Sequence, residues 1–172
     1  MPLVSFSSLP GSSRVWVFGS AKPLDETAAR TLLETVDTYL AGWRAHGEPL
    51  TSGRDWRDNR FLTIAVDPRE SAASGCSLDA LYRMFRQIEP ELGGSLLDGG
   101  RVYYRDAEGM VQATDRPGFA ALARSGAVGP ETSVFDLAIT NLGEWRQRFE
   151  APAARSWHGA LLPVAPQVQT QR

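Results

Sequence analysis

The chain has 172 residues, of which 42% are apolar and 22% are charged, and these proportions are typical of a globular domain of ordinary size. The net charge of −2 offers no basic surface, so we expect neither a nucleic-acid partner nor an anionic membrane partner. The single cysteine excludes an intrachain disulfide, a CxxC redox pair and a zinc site built from several thiolates.

Lysine is almost absent: Lys22 is the only lysine among 18 cationic residues, and arginine supplies the other 17. A P-loop requires a lysine after a glycine-rich frame and before Ser or Thr, but Lys22 precedes Pro23. Lys22 is also the only nominee for Schiff-base chemistry, and it lies beside a predicted turn. We therefore expect no nucleotide and no other cofactor.

The boundaries of the domain follow from local composition. Residues 1–13 are rich in Ser, Pro and Gly and predict a flexible lead-in. Residues 14–162 predict one α+β domain, and residues 163–172 predict a disordered tail. The apolar runs are only as long as a β-strand, and the N-terminus lacks the charged and then apolar segments of a secretory signal. We therefore expect a cytoplasmic protein without a membrane partner.

The first half of the domain shows clear periodicity. A continuous apolar run predicts a central strand at residues 15–18. Apolar positions spaced by three and four then predict a helix over residues 25–46, with Asp25 as N-cap, His46 in the last turn and Gly47 just beyond it. A weak strand at 50–56, a turn at Asp58 and Asn59, and a strong strand at 61–66 together indicate a hairpin.

The pattern continues with a second helix that starts near Cys76 and runs to about Leu92, and with a strand at 101–105. The order strand, helix, strand, strand, helix, strand matches the ferredoxin-like split βαβ plan (βαββαβ), an antiparallel sheet whose first and third strands are central, adjacent and parallel. A C-terminal α/β extension follows, with a strand at 110–112, a helix at 117–124, a strand at 134–139 and a helix at 142–149.

The turn before the second helix is the candidate site. A thiol at a helix start lies near unpaired amides and the positive end of the helix dipole, which favours a thiolate at Cys76. Asp79, one turn later, acts in the opposite direction, and a lone cysteine is also compatible with a plain buried position. Ser74, Gly75 and Ser77 form a candidate anion site through their hydroxyls and helix-start amides.

Two histidines are candidates to assist the thiol. In the catalytic hypothesis, Cys76 pairs with His158 or His46, and an acid such as Asp67 or Asp79 orients the imidazole. The reaction class is then thiol-dependent chemistry on a small acyl, peroxide or disulfide substrate, with the amides near Gly75 stabilising an oxyanion. The histidines lack the spacing of a metal motif, so no metal is expected.

Two non-catalytic alternatives remain open. The same turn is suited to binding a small anionic ligand without chemistry. A ferredoxin-like sheet also leaves one face free, and an apolar surface there is compatible with a homodimer. The candidates for that surface are Trp16, Phe18, Phe61 and Tyr103.

Several short motifs together resemble a bacterial family of unassigned function. They are Ala73 to Asp79, with its Ser-Gly-Cys-Ser turn, and the terminal Ser156-Trp157-His158. His46-Gly47 before Pro49-Leu50, and Val134-Phe135 followed by Asn141-Leu142-Gly143-Glu144, complete the resemblance. Some members of the family carry an automatic label as ABC transporter ATPases, but this sequence has neither a Walker A lysine motif nor an LSGGQ-type signature. The resemblance implies no activity and no catalytic residue.

Overall fold

A computed structural model describes residues 3–164 of the chain, which form two compact units. The first unit comprises residues 3–99 and 136–149, and the second comprises residues 100–135 and 150–164. Four helices and antiparallel sheets over this range confirm the α+β class. The stretch predicted as one domain, 14–162, thus contains parts of two units, because the segment from Asp136 to Phe149 returns to the first. From residue 165 onward, the predicted disordered tail lies outside the described residues.

The elements are numbered along the chain. The strands are β1 (Arg14–Gly19), β2 (Arg44–Ala45), β3 (Glu48–Pro49), β4 (Ser52–Arg57), β5 (Phe61–Val66), β6 (Arg101–Arg105), β7 (Val111–Asp115), β8 (Ser133–Phe135) and β9 (Glu150–Pro152). The α-helices are α1 (Glu26–Ala41), α2 (Gly75–Leu92), α3 (Arg116–Arg124) and α4 (Leu142–Arg148).

Strand β5 is the centre of the first unit. All six of its residues are buried, and it pairs with β1 on one side and β4 on the other, both antiparallel. Its continuous apolar sequence is typical of a strand covered on both faces. The hairpin to β4 closes through Asp58 and Asn59, whose φ values of 52° and 51° match the left-handed two-residue turns that suit a hairpin.

The ferredoxin-like order is not observed. The sheet of the first unit has the order β1-β5-β4, so β1 and β5 are adjacent as predicted but antiparallel, and β1 lies at one side of the sheet. Strand β6 belongs instead to the sheet of the second unit. The sequence pattern predicts which strands and helices form. Which strands pair depends on contacts between residues that are distant in the sequence.

Both faces of the first sheet are covered. Helices α1 and α2 pack their apolar residues on the face that carries Leu62, Ile64 and Val66. On the other face, the Trp145 indole nitrogen donates to the Thr63 hydroxyl at 3.0 Å, and Phe149 meets Phe61 edge-on. The predicted free apolar face is therefore wrong for this sheet, since Phe18 and Phe61 are buried and Trp16 is partly buried against the core. Tyr103 is also buried, but it lies in the sheet of the second unit.

Helix α1 is shorter than predicted. It starts at the Asp25 cap, whose carboxylate accepts from the Ala28 amide at 2.8 Å, but it ends at Ala41 before Gly42. Residues 44–49 form the hairpin of β2 and β3, with His46 and Gly47 in its turn at φ values of 51° and 83°. His46 is thus a turn residue and not part of the helix end.

The described part of the lead-in predicted to be flexible, residues 3–13, is ordered, and residues 1 and 2 lie outside the described residues. The Val4 amide donates to the Ser52 carbonyl at 2.8 Å, a 3-10 turn spans Phe6–Ser8, and Leu9 is only 3% exposed. Arg146 donates to the carbonyls of Ser7 and Leu9 at 3.1 and 2.8 Å. These bonds and the burial of Leu9 offset the ordering entropy that the Ser-rich and Gly-rich composition implied.

The second unit has its own sheet and core. Its strand order is β7-β6-β8-β9, all antiparallel, and α3 begins at the Asp115 cap, whose carboxylate accepts from the Gly118 amide at 2.7 Å. The C-terminal segment forms two 3-10 helices, Ala153–Arg155 and Trp157–Leu161. The core consists of Val102, Phe119, Ala123, Val128, Val134 and Ala153.

Trp145 should be among the most important side chains for the first unit. It is 5% exposed, stacks on Phe149 and lies under Arg57, so Trp145→Ala should lower the free energy of unfolding by about 3–5 kcal/mol. Urea denaturation measures the loss. Met110→Ala, at a side chain that is 63% exposed, is the control and should stay within about 0.5 kcal/mol. A loss below about 1 kcal/mol for Trp145→Ala would contradict this account of α4.

Candidate functional site

The first turn of α2 is fixed by a reciprocal pair of serines. The Ser74 hydroxyl accepts from the Ser77 amide at 3.2 Å, and the Ser77 hydroxyl accepts from the Ser74 amide at 2.8 Å. This capping box satisfies two backbone donors and sets where the helix begins. Cys76 consequently occupies the second helical position, as the sequence predicted.

The same turn is held against the end of α1. The Ser77 carbonyl accepts from the Tyr39 hydroxyl and from the Trp43 indole nitrogen, each at 3.1 Å. Burial raises the pKa of the Tyr39 hydroxyl above its ordinary value, although Arg83 opposes the shift, so this donor keeps its proton at neutral pH. Together the two bonds keep the start of α2 in a fixed position beside the hairpin of β2 and β3.

An open groove of about 420 Å³ lies between these elements. Cys76 lines it and is exposed, and His46 lines it from the hairpin turn and is also exposed. The remaining lining residues are Tyr39, Gly42, Trp43, Arg44, Ala45, Ser74, Ser77 and Ala80. The structure therefore brings together the thiol and one of the two predicted imidazoles.

The capping box also determines which amides are available. Among the described residues, the Gly75 and Cys76 amides have no hydrogen-bond partner, as is usual for the first positions of a helix. Ser77 is predicted to be an anion ligand, but its donors are already used. Its amide donates to the Ser74 hydroxyl, and its own hydroxyl donates to the Ser74 carbonyl at 2.8 Å. The donors that remain at the turn are two amides and the Ser74 hydroxyl proton.

His158 lies in the second unit and is fully buried there. Its Nδ1 is 2.8 Å from the Ser156 hydroxyl, its ring stacks on Trp157, and Phe119 meets it edge-on. An imidazole enclosed in this way has a packing role in its own core. Cys76 is a residue of the first unit, and the imidazole that shares its groove is His46.

The two acids named as orienting groups have other surroundings. Asp67 is 4% exposed and accepts from the Arg69 guanidinium at 2.6 Å and from the Arg69 amide at 3.0 Å. These bonds hold the pKa of the Asp67 carboxyl below its usual value. Asp79 is exposed on α2 and does not line the groove. The described residues thus give the Cys76 groove a histidine but no orienting carboxylate.

The sequence pattern does not predict three of the groove residues. Tyr39 is in the last turns of α1 and Trp43 lies two residues beyond its end, and the apolar spacing gives no sign that this hydroxyl and this indole reach across to α2. Arg44 is predicted to be helical, whereas it donates to the Gly47 carbonyl at 2.8 Å within the hairpin. The sequence signal that indicates the hairpin is Gly42 followed by His46-Gly47. A glycine often marks the end of a helix, and a second glycine a few residues later marks a tight turn.

Two other kinds of site are absent from residues 3–164. No three His, Cys, Asp or Glu side chains are grouped there so as to hold a metal ion. No helix in that range is both long and apolar enough to cross a membrane.

Asp67 should make the free energy of unfolding depend on pH in the acidic range. Because its folded-state pKa is lowered, its contribution is complete above the unfolded value of about 3.9 and is lost as the pH falls through the folded value. The urea midpoint of Asp67→Asn should therefore lie below that of the wild type from pH 5 to 8, and the gap should narrow at lower pH. Glu34→Gln, at an exposed position on α1, is the control. A gap that does not change with pH would contradict this role.

No family model, no curated protein and no solved structure matches the chain. The function proposed for the protein therefore rests on the residues that line the groove.

Proposed function

We propose that the protein binds a small anionic molecule in the groove and carries out thiol-dependent chemistry on it through Cys76. One observation supports this most directly: an exposed thiol and an exposed imidazole line the same groove, at a helix start whose first two amides are unused. Thiols near a helix N-terminus and a histidine are the kind that react as nucleophiles.

The chemistry assigned to each group follows from its position. His46 takes the thiol proton, and the Cys76 sulfur attacks an electrophilic atom such as the carbonyl carbon of an acyl substrate. As the new S–C bond forms, the carbonyl π electrons move to the oxygen. The resulting oxyanion then collapses, the bond to the leaving group breaks, and the leaving group departs with the proton from His46. The amides of Gly75 and Cys76 are the donors for the oxyanion that develops.

Recognition of an anion is the second component. Two amides at the positive end of α2, with Arg44 also lining the groove, favour a phosphate or carboxylate group. Simple anion binding without catalysis is the alternative function, and the missing orienting carboxylate favours it. The proposal includes a cytoplasmic location, which suits a lone free thiol, and membership of the bacterial family that the motifs resemble. ATPase activity is not part of it, since Lys22 precedes Pro23.

The reactivity of Cys76 tests the catalytic function. As the only cysteine, it is the only site that iodoacetamide labels efficiently, and His46→Asn should slow its alkylation at pH 7 by about threefold or more. Asparagine tolerates the left-handed backbone of position 46, so the substitution removes the imidazole while the turn is kept. Glu48→Gln, on β3 outside the groove, is the control and should react like the wild type.

Protection by phosphate separates the two functions. Phosphate at fixed ionic strength should slow alkylation and raise the melting temperature, because a ligand of the folded state stabilises it. Protection together with equal rates for His46→Asn and the wild type would favour simple anion binding. If neither the substitution nor phosphate changes the rate, the groove has neither function.

A further inference from the structure

The outer edge of β4 is a row of backbone groups with few partners. The carbonyls of Thr51 and Arg57 bond toward β5 and its turn, so Ser52, Arg54 and Trp56 direct their backbone groups outward. The Ser52 carbonyl accepts from Val4. Leu3 also forms an isolated parallel bridge with Ser52, and Val4 and Phe6 lie close to Gly53, so this segment covers the start of β4. From Arg54 onward, no strand within residues 3–164 pairs with the edge, and β4 is the last strand of its sheet.

The sequence along this edge is self-complementary in charge. Residues 55–57 at the end of β4 are Asp-Trp-Arg, and the next residue, Asp58, already lies in the hairpin turn. Read in the opposite direction, the segment places Asp opposite Arg, Arg opposite Asp and Trp opposite Trp. Antiparallel strands with Trp56 facing Trp56 thus join opposite charges on both sides of the tryptophan, and opposite-charge pairs across strands are stabilising.

Only one register has this property. Residues whose backbone groups point away from β5 must lie opposite one another across the interface. Three registers meet this condition: Trp56 opposite Trp56, Arg54 opposite Trp56, and Arg54 opposite Arg54. The second register opposes Asp55 to Asp55, and the third opposes two arginines and runs into the segment bonded to Ser52. Like charges directly opposite are destabilising, so the charges select the register centred on Trp56.

We propose that the β4 edge binds a second copy of this chain, antiparallel and two-fold symmetric about Trp56. Each Arg57 then lies between Asp55 of its own chain, at 2.9 Å, and the partner's Asp55. The two Trp56 residues exchange both backbone hydrogen bonds. The interface is of the isologous type, in which one patch meets its own copy.

The surroundings of the edge leave room for this partner. Open cavities of about 600 Å³ flank β4. One is lined by Asp55, Arg57 and Trp145 together with residues 3–7, and the other by Arg54 and Asn59. Arg54 is held by Asp37 through two bonds of 2.8 and 2.7 Å, so its side chain is fixed in place.

The other sheet edges lack this pattern. Strand β1, at the other side of the first sheet, has Arg14 as its only charge, and its Val15 amide donates to the Thr140 carbonyl. Strand β7 has Asp115 as its only charge, and β9 is three residues long and contains Pro152. Charges on an edge strand usually prevent association, because identical copies present like charges. On β4 the alternation of signs makes identical copies attract in one register. The short overlap predicts a weak dimer, with a dissociation constant in the micromolar range.

A charge-swap mixture tests both the dimer and its register. Sedimentation velocity on the full chain should show the wild type dimerising with concentration, and less so at high salt. Asp55→Arg and Arg57→Asp should each raise the dissociation constant about tenfold or more, since every copy then carries two like charges at the edge. Mixed one to one, the two variants should associate again, because the introduced arginine meets the introduced aspartate and the native Arg57 meets the native Asp55. Native mass spectrometry should identify the mixed dimer.

Controls separate this result from loss of folding. Thermal melts show that each variant is folded, and Gln112→Arg on the exposed part of β7 should leave association unchanged. In the wild type, amide exchange at Arg54 and Trp56 should slow as concentration rises, which needs no substitution. A wild type that is monomeric at millimolar concentration overturns the proposal, as does a mixture no more associated than its parts. Preferential pairing of Asp55→Arg with the wild type would overturn the register.

Discussion

The burial of β5 on both faces is the constraint on which the first unit depends. A strand whose six residues are all buried requires a strand on each side and a packed layer on each face. Helices α1 and α2 supply one layer, but the described sequence up to Gly99 contains no third α-helix for the other. The chain therefore returns at Asp136, and α4 brings Trp145 against Thr63 to complete the second layer.

The position of the groove follows from the packing of α1 on α2. Both helices bury their apolar stripes on the same face of the sheet, which places the end of α1 beside the start of α2. At this junction Tyr39 and Trp43 donate to the Ser77 carbonyl, and polar groups buried there must be paired. The chain has to turn sharply as it leaves α1, and that turn brings His46 to the groove that Cys76 lines.

Local signals predict the elements well and their assembly less well. The strands at 15–18 and 61–66, the Asp25 cap and a second helix that starts near Cys76 are all predictable, because periodicity and capping depend on neighbouring residues. The antiparallel pairing of β1 with β5 and the return of α4 depend on contacts far apart in the sequence. The predicted end of α1 is wrong because Trp43 continues the apolar spacing beyond Gly42. For the site, the sequence predicts the position of Cys76 at a helix start, whereas the place of His46 depends on a hairpin that the apolar spacing conceals.

Several arginine side chains hold irregular segments of the first unit in place. A guanidinium has several donors in a fixed plane, so one side chain bonds two acceptors or an acceptor and a ring, which an ammonium on a flexible stem does less well. These bonds attach segments that no sheet ladder reaches, including residues 3–13 and the stretch after Asp136. The examples are Arg146 on Ser7 and Leu9, Arg148 on Asp136 and Glu144, Arg60 on Ala21, Arg54 on Asp37, and Arg57 on Asp55 and Trp145.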